Sequence, residues 1–311
     1  MIAWRAWIGA CRPKTLVAAL VPVVVGGAVY INYADTNFIG RKSDYFITLS
    51  SCLAFAIGAQ IVSNFANDLG DSLKGADNHL RVGPKRAVAN GLISTRAMKI
   101  GVIVAMILAF LGGLPMGLRE PMLFIPAIIA LLLALAYTLG PLPLSYLGLG
   151  DVFVVACFGV QATALTVYAF HVMVGSGEQW VMPWIPALVA GLGLGLLADN
   201  ILLANNARDL ETDATSGKRT TVVRFGRGFA RGLHLFNAVG GILALAIVFG
   251  ALPLVLLPLA LWQHWQFRRA KSPLDYVPFL GRAALLLLLS GALCVTATCL
   301  GWVPMGGLLL R

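Results

Sequence analysis

The sequence predicts an all-α, polytopic membrane protein with nine transmembrane helices in one bundle. Of its 311 residues, 59% are hydrophobic and only 12% are charged, whereas an ordinary soluble domain carries about 25% charged residues. Apolar runs recur along the whole chain, and several approach or exceed the roughly 20 residues that a helix needs to cross a bilayer. We therefore expect one transmembrane domain over residues 1–311 and no soluble module.

The apolar segments define the predicted helices in chain order. They cover residues 15–33, 46–67, 97–117, 121–138, 150–172, 182–207, 228–249, 252–267 and 282–303. Pro121, Pro183 and Pro253 lie near segment starts, where proline is tolerated because the first N–H groups of a helix have no partner inside it.

Basic residues concentrate in alternate loops. The regions that follow the second, sixth and eighth segments hold most of the lysines and arginines, whereas the intervening loops are poor in them and the loop after the first is mixed. Cytoplasmic loops of membrane proteins are enriched in Lys and Arg. This pattern predicts a cell inner membrane protein with a cytoplasmic N-terminus and an external C-terminus. It also explains the net charge of +10, so we expect no nucleic-acid partner.

The cysteines and histidines show no metal-binding pattern. The five cysteines form no Cys-x-x-Cys pair and four lie in apolar runs, while the four histidines lack the spacing of metal ligands. We expect buried, reduced thiols. Any chemistry must therefore be sought among the acidic residues.

Two polar stretches follow apolar segments and contain aspartates and asparagines. The first, residues 64–86, holds Asn64, Asn67, Asp68, Asp71 and Asp77. If the second helix continues through it, Asn64, Asp68 and Asp71 share one face. We expect Gly70 and Gly75 to break this helix, so that Asp77 reaches back from a loop.

The second stretch, residues 205–220, repeats this arrangement. Asn205, Asp209 and Asp213 follow one another at four-residue intervals, which places them on one face if the sixth helix continues. Glu211 falls on another side, where we expect it to be solvated.

Carboxylates stacked on one face repel each other unless a cation lies between them. Hard oxygen ligands suit Mg²⁺, which typically binds a few carboxylates together with substrate phosphates. We therefore predict a magnesium site and assign the central chemistry to four carboxylates, with one more as a further metal ligand. The four are Asp68, Asp71, Asp209 and Asp213, and the fifth is Asp77.

The basic neighbours of both stretches complement a bound diphosphate. The predicted diphosphate ligands are Lys74, Lys85, Arg86, Arg208, Lys218 and Arg219. Such a site would ionise an allylic diphosphate, because the metal and the basic groups stabilise the charge that develops on the leaving group. The alternative is that both stretches are ordinary solvated loops.

These residues resemble a known family. NDLGDSLKGAD (67–77) with GPKRAVANGLIS (83–94), and NNARDLETDATSGKRT (205–220), are similar to the two aspartate-rich motifs of the UbiA superfamily of intramembrane prenyltransferases. RPKTL (12–16) and AYTLGPLPLSYLGLGD (136–151) agree as well. The form of the two motifs is most similar to the branch that acts on 1,4-dihydroxy-2-naphthoate.

The resemblance implies a reaction. Members of that branch transfer a polyprenyl chain from polyprenyl diphosphate to 1,4-dihydroxy-2-naphthoate with Mg²⁺, release diphosphate and CO₂, and form demethylmenaquinone. The alternatives are another aromatic acceptor, such as 4-hydroxybenzoate, homogentisate or a porphyrin, and a cation-coupled transporter. Transporter sites lie near the bilayer midplane, whereas these motifs lie at helix ends. The sequence predicts neither isoprenoid length nor oligomeric state.

The acceptor side is predicted from weaker signals. Tyr137 and Tyr146 are candidates for π contact with an allylic cation, and interfacial tyrosines without a function are the alternative. Arg12 and Lys14 are candidates for the acceptor carboxylate, and ordinary positive flanking residues are the alternative. The asparagines Asn64, Asn67 and Asn205 join this group as polar contacts.

The sequence does not decide the roles of two further aspartates. Asp151 begins the fifth segment, where it either complements the helix dipole or belongs to the acceptor pocket. Asp199 lies inside an apolar run, and an intramembrane carboxylate indicates a functional site. It follows GLGLGLL (191–197), which predicts close helix packing. The isoprenoid tail would require an apolar exit towards lipid.

Overall fold

The computed structural model describes residues 3–33, 42–75, 82–83, 86–141, 143–174 and 182–302. Across these residues every regular element is helical. The helices are α1 Ala3–Cys11, α2 Pro13–Tyr33, α3 Lys42–Leu73, α4 Thr95–Arg119, α5 Phe124–Ala136, α6 Gly150–Phe153, α7 Ala162–Val174, α8 Trp184–Arg208, α9 Leu210–Thr215, α10 Thr221–Phe249, α11 Leu257–Arg269 and α12 Pro273–Cys299. A π-helix, Val154–Gln161, joins α6 to α7, and 3-10 turns at Pro121–Leu123 and Leu252–Leu256 precede α5 and α11.

Each predicted apolar segment coincides with a helix in this order, so the all-α prediction is confirmed. Within the described residues, seven helical stretches are long and apolar enough to cross a membrane, whereas Pro121–Ala136 is a shorter apolar helix. The predicted count of nine crossings therefore exceeds the number that length and hydropathy support. The ninth segment of the prediction also ran to residue 303, which lies outside the described residues.

Two helices begin earlier than their hydropathy predicts. The Thr220 side chain accepts a hydrogen bond from the Val223 N–H and starts α10 seven residues before the predicted position, 228. Ser272 forms a capping box with Asp275 and starts α12 at Pro273 rather than at 282. Both starts are polar, and caps rather than apolar runs determine them.

Helix α8 lies at the centre of the bundle. It packs against α2, α10, α12 and the π-helix, and 72% of the residues in its 18-residue apolar stretch are buried. By contrast, α4 exposes a face of large aliphatic side chains, with Ile100, Ile103 and Leu108 each about half exposed. An apolar exposed face of this kind suits contact with lipid.

The π-helix and α8 approach each other closely through glycines. A Cβ on Gly195 would lie 2.7 Å from the Val155 carbonyl oxygen and one on Gly191 would lie 2.7 Å from the Val160 Cα. Only a residue without a side chain fits this contact. The close packing predicted from GLGLGLL is confirmed.

Candidate functional site

The first aspartate motif lies on a continuous helix. Because α3 extends to Leu73, Asn64, Asp68 and Asp71 share it and are all buried. The prediction that Gly70 breaks this helix is wrong. A Cβ at Gly70 would lie 2.8 Å from the Thr138 side chain, so the glycine admits the chain segment that follows α5. The helix ends near Gly75, whose φ of +66° is left-handed.

The second motif lies at a break between two helices. Helix α8 ends at Arg208, Asp209 is its C-cap residue with φ −93° and ψ 11°, and α9 begins at Leu210. The prediction of one continuous helix face is therefore wrong here. Asp213 still lies near Asp209, because its N–H donates to the Asp209 carbonyl at 2.7 Å.

Both motifs line one cavity of about 330 Å³, the motif cavity. Most of the predicted site residues meet there. They are Arg12, Lys14, Asn67, Asp68, Asp71, Arg86, Tyr137, Asn205, Arg208, Asp209, Asp213 and Lys218. Asn64, Lys74, Tyr146 and Arg219 are outside its lining. Asp77 and Lys85 lie outside the described residues.

Asp68 holds the chain segment that follows its own motif. Its two carboxylate oxygens accept hydrogen bonds from the backbone N–H groups of Ala87 and Val88, at 2.9 and 3.0 Å. Because a carboxylate has about four lone-pair sites, these two bonds leave acceptor capacity towards the motif cavity.

Lys218 joins the two motifs electrostatically. Its Nζ lies 2.9 Å from Asp71 Oδ1 and 3.7 Å from Asp213 Oδ1. Arg86 pairs with the other Asp71 oxygen at 3.2 Å. The carboxylates of separate motifs therefore share a cation from the second motif, which relieves their mutual repulsion.

Asp209 pairs with its own neighbour. Arg208 donates two hydrogen bonds to the carboxylate, from Nε at 2.7 Å and from an Nη at 2.6 Å, and the guanidinium is buried. Charge-assisted, bidentate bonds of this type are strong. Glu211 is 57% exposed and pairs with Arg227 at 2.8 Å, so its predicted solvated position is confirmed.

Lys74 and Tyr146 form a group beside the cavity. The Lys74 Nζ lies 4.3 Å from the Tyr146 ring centroid and donates to the Thr138 carbonyl at 3.0 Å. Much of the Lys74 side chain is exposed. Desolvation of its ammonium group lowers the pKa of Lys74, the nearby Asp71 carboxylate raises this pKa, and the positive charge of Lys218 lowers it. Lys218 also lies 5.3 Å from the same ring, so two protein cations lie against the ring of Tyr146.

Arg219 projects differently from Lys218. Its side chain is exposed, and its backbone N–H donates to the Tyr146 carbonyl at 3.1 Å. The structure therefore places the predicted diphosphate ligands Lys218 and Arg219, which are adjacent in sequence, inside and outside the motif cavity respectively.

The N-terminal segment enters the cavity through a strained residue. Arg12, between α1 and α2, has a φ of +50°, which costs energy in a residue with a side chain. Asn64 fixes this turn by donating to the Cys11 carbonyl at 2.8 Å and to the Thr15 hydroxyl at 3.1 Å. Asn64 thus supports the cavity wall and lines the small cavity beside it, and its predicted contact with the acceptor stays a prediction. Asn67 lines the cavity and accepts a hydrogen bond from Thr138.

An apolar cavity of about 160 Å³ lies deeper in the bundle. A small intermediate cavity shares Tyr137 with the motif cavity and shares Phe153 and Phe158 with the apolar one. The Tyr137 and Phe153 rings pack with centroids 5.3 Å apart. The motif cavity, the small cavity and the apolar cavity are therefore neighbours, and the residues that they share form the passage proposed below.

The donor set of the motif cavity fits Mg²⁺ in chemistry. It offers carboxylate and amide oxygens, the ligands that magnesium prefers. Within the described ranges, no three acidic, histidine or cysteine side chains converge into a ready-made metal cage. Magnesium commonly binds through one or two carboxylates plus substrate phosphates, so an open set of this kind suits a metal that arrives with a diphosphate.

Some lining residues were not among the predicted site residues. Thr138, Ser145 and Asp151 come from the stretch 136–151, and Asn206 comes from the second motif. The signal was present in the AYTLGPLPLSYLGLGD stretch, which lies on the same side of the predicted bundle as the motifs. Residue spacing alone does not show which of its side chains turn inward.

Residues 19–280 match the model of the UbiA prenyltransferase family. The chain belongs to this family. The 1,4-dihydroxy-2-naphthoate octaprenyltransferase of Escherichia coli (strain K12) is 32% identical over 94% of both chains. The enzyme of the same name from Haemophilus influenzae (strain ATCC 51907 / DSM 11121 / KW20 / Rd) is 35% identical over 74% of this chain and 72% of its own length.

A solved structure supports the family fold. The UbiA homologue from Archaeoglobus fulgidus bound to DMAPP and Mg²⁺ superposes with a TM-score of 0.57 at 18% identity, covering 93% of this chain and 99% of that one. At this identity the likeness concerns the fold of the two UbiA family members.

Proposed function

We propose that this UbiA family member transfers a polyprenyl chain from polyprenyl diphosphate to 1,4-dihydroxy-2-naphthoate. Diphosphate and CO₂ leave, and demethylmenaquinone forms. The observation that carries this proposal is the full-length similarity to relatives named 1,4-dihydroxy-2-naphthoate octaprenyltransferase. The presence of an acidic and basic cavity and an apolar cavity on either side of a small shared cavity supports it, because such a donor has a charged head and a long hydrocarbon tail.

The proposed metal ligands are the carboxylates of both motifs. Asp71, Asp209 and Asp213, with the remaining lone pairs of Asp68, would hold Mg²⁺, and Asp77 is a further ligand predicted from sequence. When bound, the metal supplies positive charge next to the diphosphate oxygens as the leaving group departs. The homologue from Archaeoglobus fulgidus bound to DMAPP and Mg²⁺ supports a divalent metal in this protein.

The basic residues act on the diphosphate by changing partners. Arg86 and Lys218 neutralise Asp71 in the present structure, and Arg208 neutralises Asp209. When a diphosphate enters, we expect these side chains to turn towards its oxygens, since Arg and Lys bind phosphate strongly. Lys74 and Lys85 complete the predicted set, while Arg219 would have to change its exposed orientation to join it.

The remaining lining residues bind and orient the organic groups. The apolar cavity takes the first isoprene units and excludes water from the allylic cation. Tyr137, at the passage between the chambers, stabilises that cation by π contact. Arg12 and Lys14 bind the acceptor carboxylate, with Asn67 and Asn205 nearby. The electron-rich ring attacks the cation at the carbon that bears the carboxylate.

We also propose a topology for the chain. The helices Pro121–Ala136 and Leu257–Arg269 cross the bilayer along with the seven longer stretches, which gives nine crossings in one domain. The basic loops then lie in the cytoplasm. The motif cavity would then open on the cytoplasmic side of the inner membrane.

An acceptor panel tests the function. Membranes containing the protein would be supplied with a polyprenyl diphosphate, Mg²⁺ and one of 1,4-dihydroxy-2-naphthoate, 4-hydroxybenzoate or homogentisate. We expect a prenylated product with the naphthoate alone. Prenylation of 4-hydroxybenzoate without prenylation of the naphthoate would overturn the acceptor assignment. Absence of diphosphate release with every acceptor would overturn the enzymatic assignment.

A further inference from the structure

Two buried carboxyl groups outside the aspartate motifs contact each other. Asp151 begins α6 and Asp199 lies within α8, and their exposures are 8% and 1%. Their side chains lie close enough to interact, and both line one cleft at the surface of the bundle. Two carboxylates in contact repel strongly in a buried place, so a pair of this kind is stable when it shares a proton.

The backbone brings this pair together. The π-helix after Asp151 packs antiparallel on α8 through Gly159, Gly191 and Gly195. Val155 lies opposite Gly195, and one turn further along each helix come Asp151 and Asp199, which line the same cleft. Replacement of these glycines by larger residues would push the helices apart and separate the carboxyls. These glycines therefore keep the two carboxyl groups together, in addition to allowing the helices to pack closely.

Neighbouring polar groups hold one oxygen of each carboxyl. Thr221 donates to Asp151 Oδ2 at 2.8 Å, and Asn237 donates to Asp199 Oδ2 at 2.8 Å. Among the described residues, no donor reaches the Oδ1 atom of either aspartate. Each carboxyl is thus oriented by one fixed hydrogen bond, and its buried Oδ1 is left for the proton that the pair shares.

Asp151 also borders the motif cavity. It lines that cavity together with Tyr137 and Thr220. On its other side it lines a cleft of about 670 Å³ with Asp199 and Asn237, among apolar side chains of α8, α10 and the π-helix. The pair therefore forms a wall between the proposed reaction chamber and a cleft on the outer face of the bundle.

The ionisable groups around the pair are few. Tyr137, from the segment after α5, lines the motif cavity together with Asp151, and Asp71 and Asp213 line it as well. From α10, the nearby Arg224 donates to the Leu147 carbonyl rather than to the pair. No basic side chain of the described residues forms an ion pair with Asp151 or Asp199.

We propose that Asp151 is a catalytic proton-transfer residue for the aromatic acceptor and that Asp199 positions it. This inference rests on the proposed function. It adds a role for residues that belong neither to the metal set nor to the diphosphate set. The acceptor enters with the hydroxyl next to the attacked carbon facing Asp151 from the motif cavity.

The proton balance of the reaction gives this residue its task. As the ring carbon forms a bond to the isoprenoid carbon, the adjacent hydroxyl becomes a carbonyl and its proton passes to Asp151. The pair then holds two protons. The carboxylate carbon–carbon bond next breaks, its electron pair returns to the ring, and CO₂ leaves. The ring oxygen takes the proton back from Asp151, so no proton is consumed or released overall.

The test compares kinetics over a pH series for wild-type protein, Asp151→Asn and Asp199→Asn. General acid–base groups contribute about 100-fold to 10,000-fold, so we expect Asp151→Asn to lower kcat by about 100-fold or more. Its KM for the donor should stay near the wild-type value, and the ionisation seen in the wild-type pH profile should disappear. Asp199→Asn should lose less activity and shift the profile without removing it. Glu211→Gln, at an exposed ion pair, is the matched control and should keep the wild-type profile.

Affinity for inorganic diphosphate with Mg²⁺ checks that the variants retain a folded donor site. If wild-type protein forms no product with any acceptor, the proposed function fails. If wild-type protein is active and Asp151→Asn keeps the same kcat and pH profile, the role of the pair alone is overturned. Should Asp151→Asn not fold, infrared difference spectra of wild-type protein decide. Addition of 1,4-dihydroxy-2-naphthoate should change an infrared band of a protonated carboxyl group. Asp199→Asn should alter this band, which assigns it to the pair. An unchanged spectrum would overturn the inference.

Discussion

The two aspartate motifs differ more in backbone than in spacing. In the first, Asp68 and Asp71 project from the unbroken helix α3. In the second, Asp209 caps α8 and Asp213 lies on the separate short helix α9. Both sets nevertheless line one cavity. Similar spacing thus places both sets of aspartates at one cavity on different backbones. The first set lies on an unbroken helix and the second at a break between two helices.

The difference indicates that the aspartates of the two motifs have different tasks. Asp68 is committed to the backbone N–H groups of Ala87 and Val88, so it combines a structural task with its proposed metal contact. Asp71 and Asp213 instead share Lys218, an arrangement that a metal and a diphosphate can replace. Substitutions at these positions should separate the two tasks.

The largest effect is expected at the shared cation site. Asp71→Ala and Asp213→Ala should each lower kcat more than about 100-fold, which is the upper range for supporting groups of metal sites, because each removes a proposed metal ligand. Thermal stability in detergent should change less than activity does. Turnover of diphosphate substrate would be measured in parallel with Glu211→Ala, whose exposed pair with Arg227 should be dispensable. Activity near the wild-type level in both aspartate variants would show that these carboxylates are not needed for the reaction.

Lys218 offers a test with opposite signs for two ligands. Lys218→Met should weaken binding of the diphosphate donor, because it removes a phosphate contact. It should tighten binding of Mg²⁺ alone, since the lysine no longer competes for Asp71 and Asp213. Calorimetry with Mg²⁺ and with inorganic diphosphate measures both effects, and Lys99→Met, on the exposed surface of α4, is the control.

Arg219→Met extends this comparison to the adjacent residue. We expect its effect on donor binding to be clearly smaller than that of Lys218→Met, because its side chain is exposed. Equal losses in the two variants would show that Arg219 turns inward when the donor binds.

Asp68→Ala should affect folding as well as turnover. It leaves two backbone N–H groups without acceptors, and a buried unsatisfied group costs about 1–3 kcal/mol. A clear fall in Tm is therefore expected, in contrast to Asp213→Ala. Equal Tm values for the two variants would contradict the structural task assigned to Asp68.

The smallest effect is expected at Gly70. Gly70→Ala places a Cβ 2.8 Å from the Thr138 side chain, and overpacking of this kind costs typically about 1–3 kcal/mol. A modest fall in Tm with activity partly retained is the expected result. An unchanged Tm would show that the segment after α5 adjusts freely.

The sequence predicted the meeting of the motifs but not its details. Spacing placed Asn64, Asp68 and Asp71 on one face because helix periodicity is local and α3 follows it. It could not predict the break at Asp209, since a C-cap depends on tertiary contacts. It also treated Lys218 and Arg219 alike, although neighbouring side chains after a turn point in different directions. The contact of Asp151 with Asp199 joins helices that are distant in sequence, and only packing reveals it.

The central claim is that one cavity couples diphosphate departure to attack by a naphthoate that then loses its carboxylate. The direct measurement is the stoichiometry of product, diphosphate and CO₂ for purified protein supplied with polyprenyl diphosphate, 1,4-dihydroxy-2-naphthoate and Mg²⁺. The account predicts one diphosphate and one CO₂ for each prenylated product, and loss of all three when the metal is chelated. Release of diphosphate without CO₂, or full turnover after chelation, would contradict it.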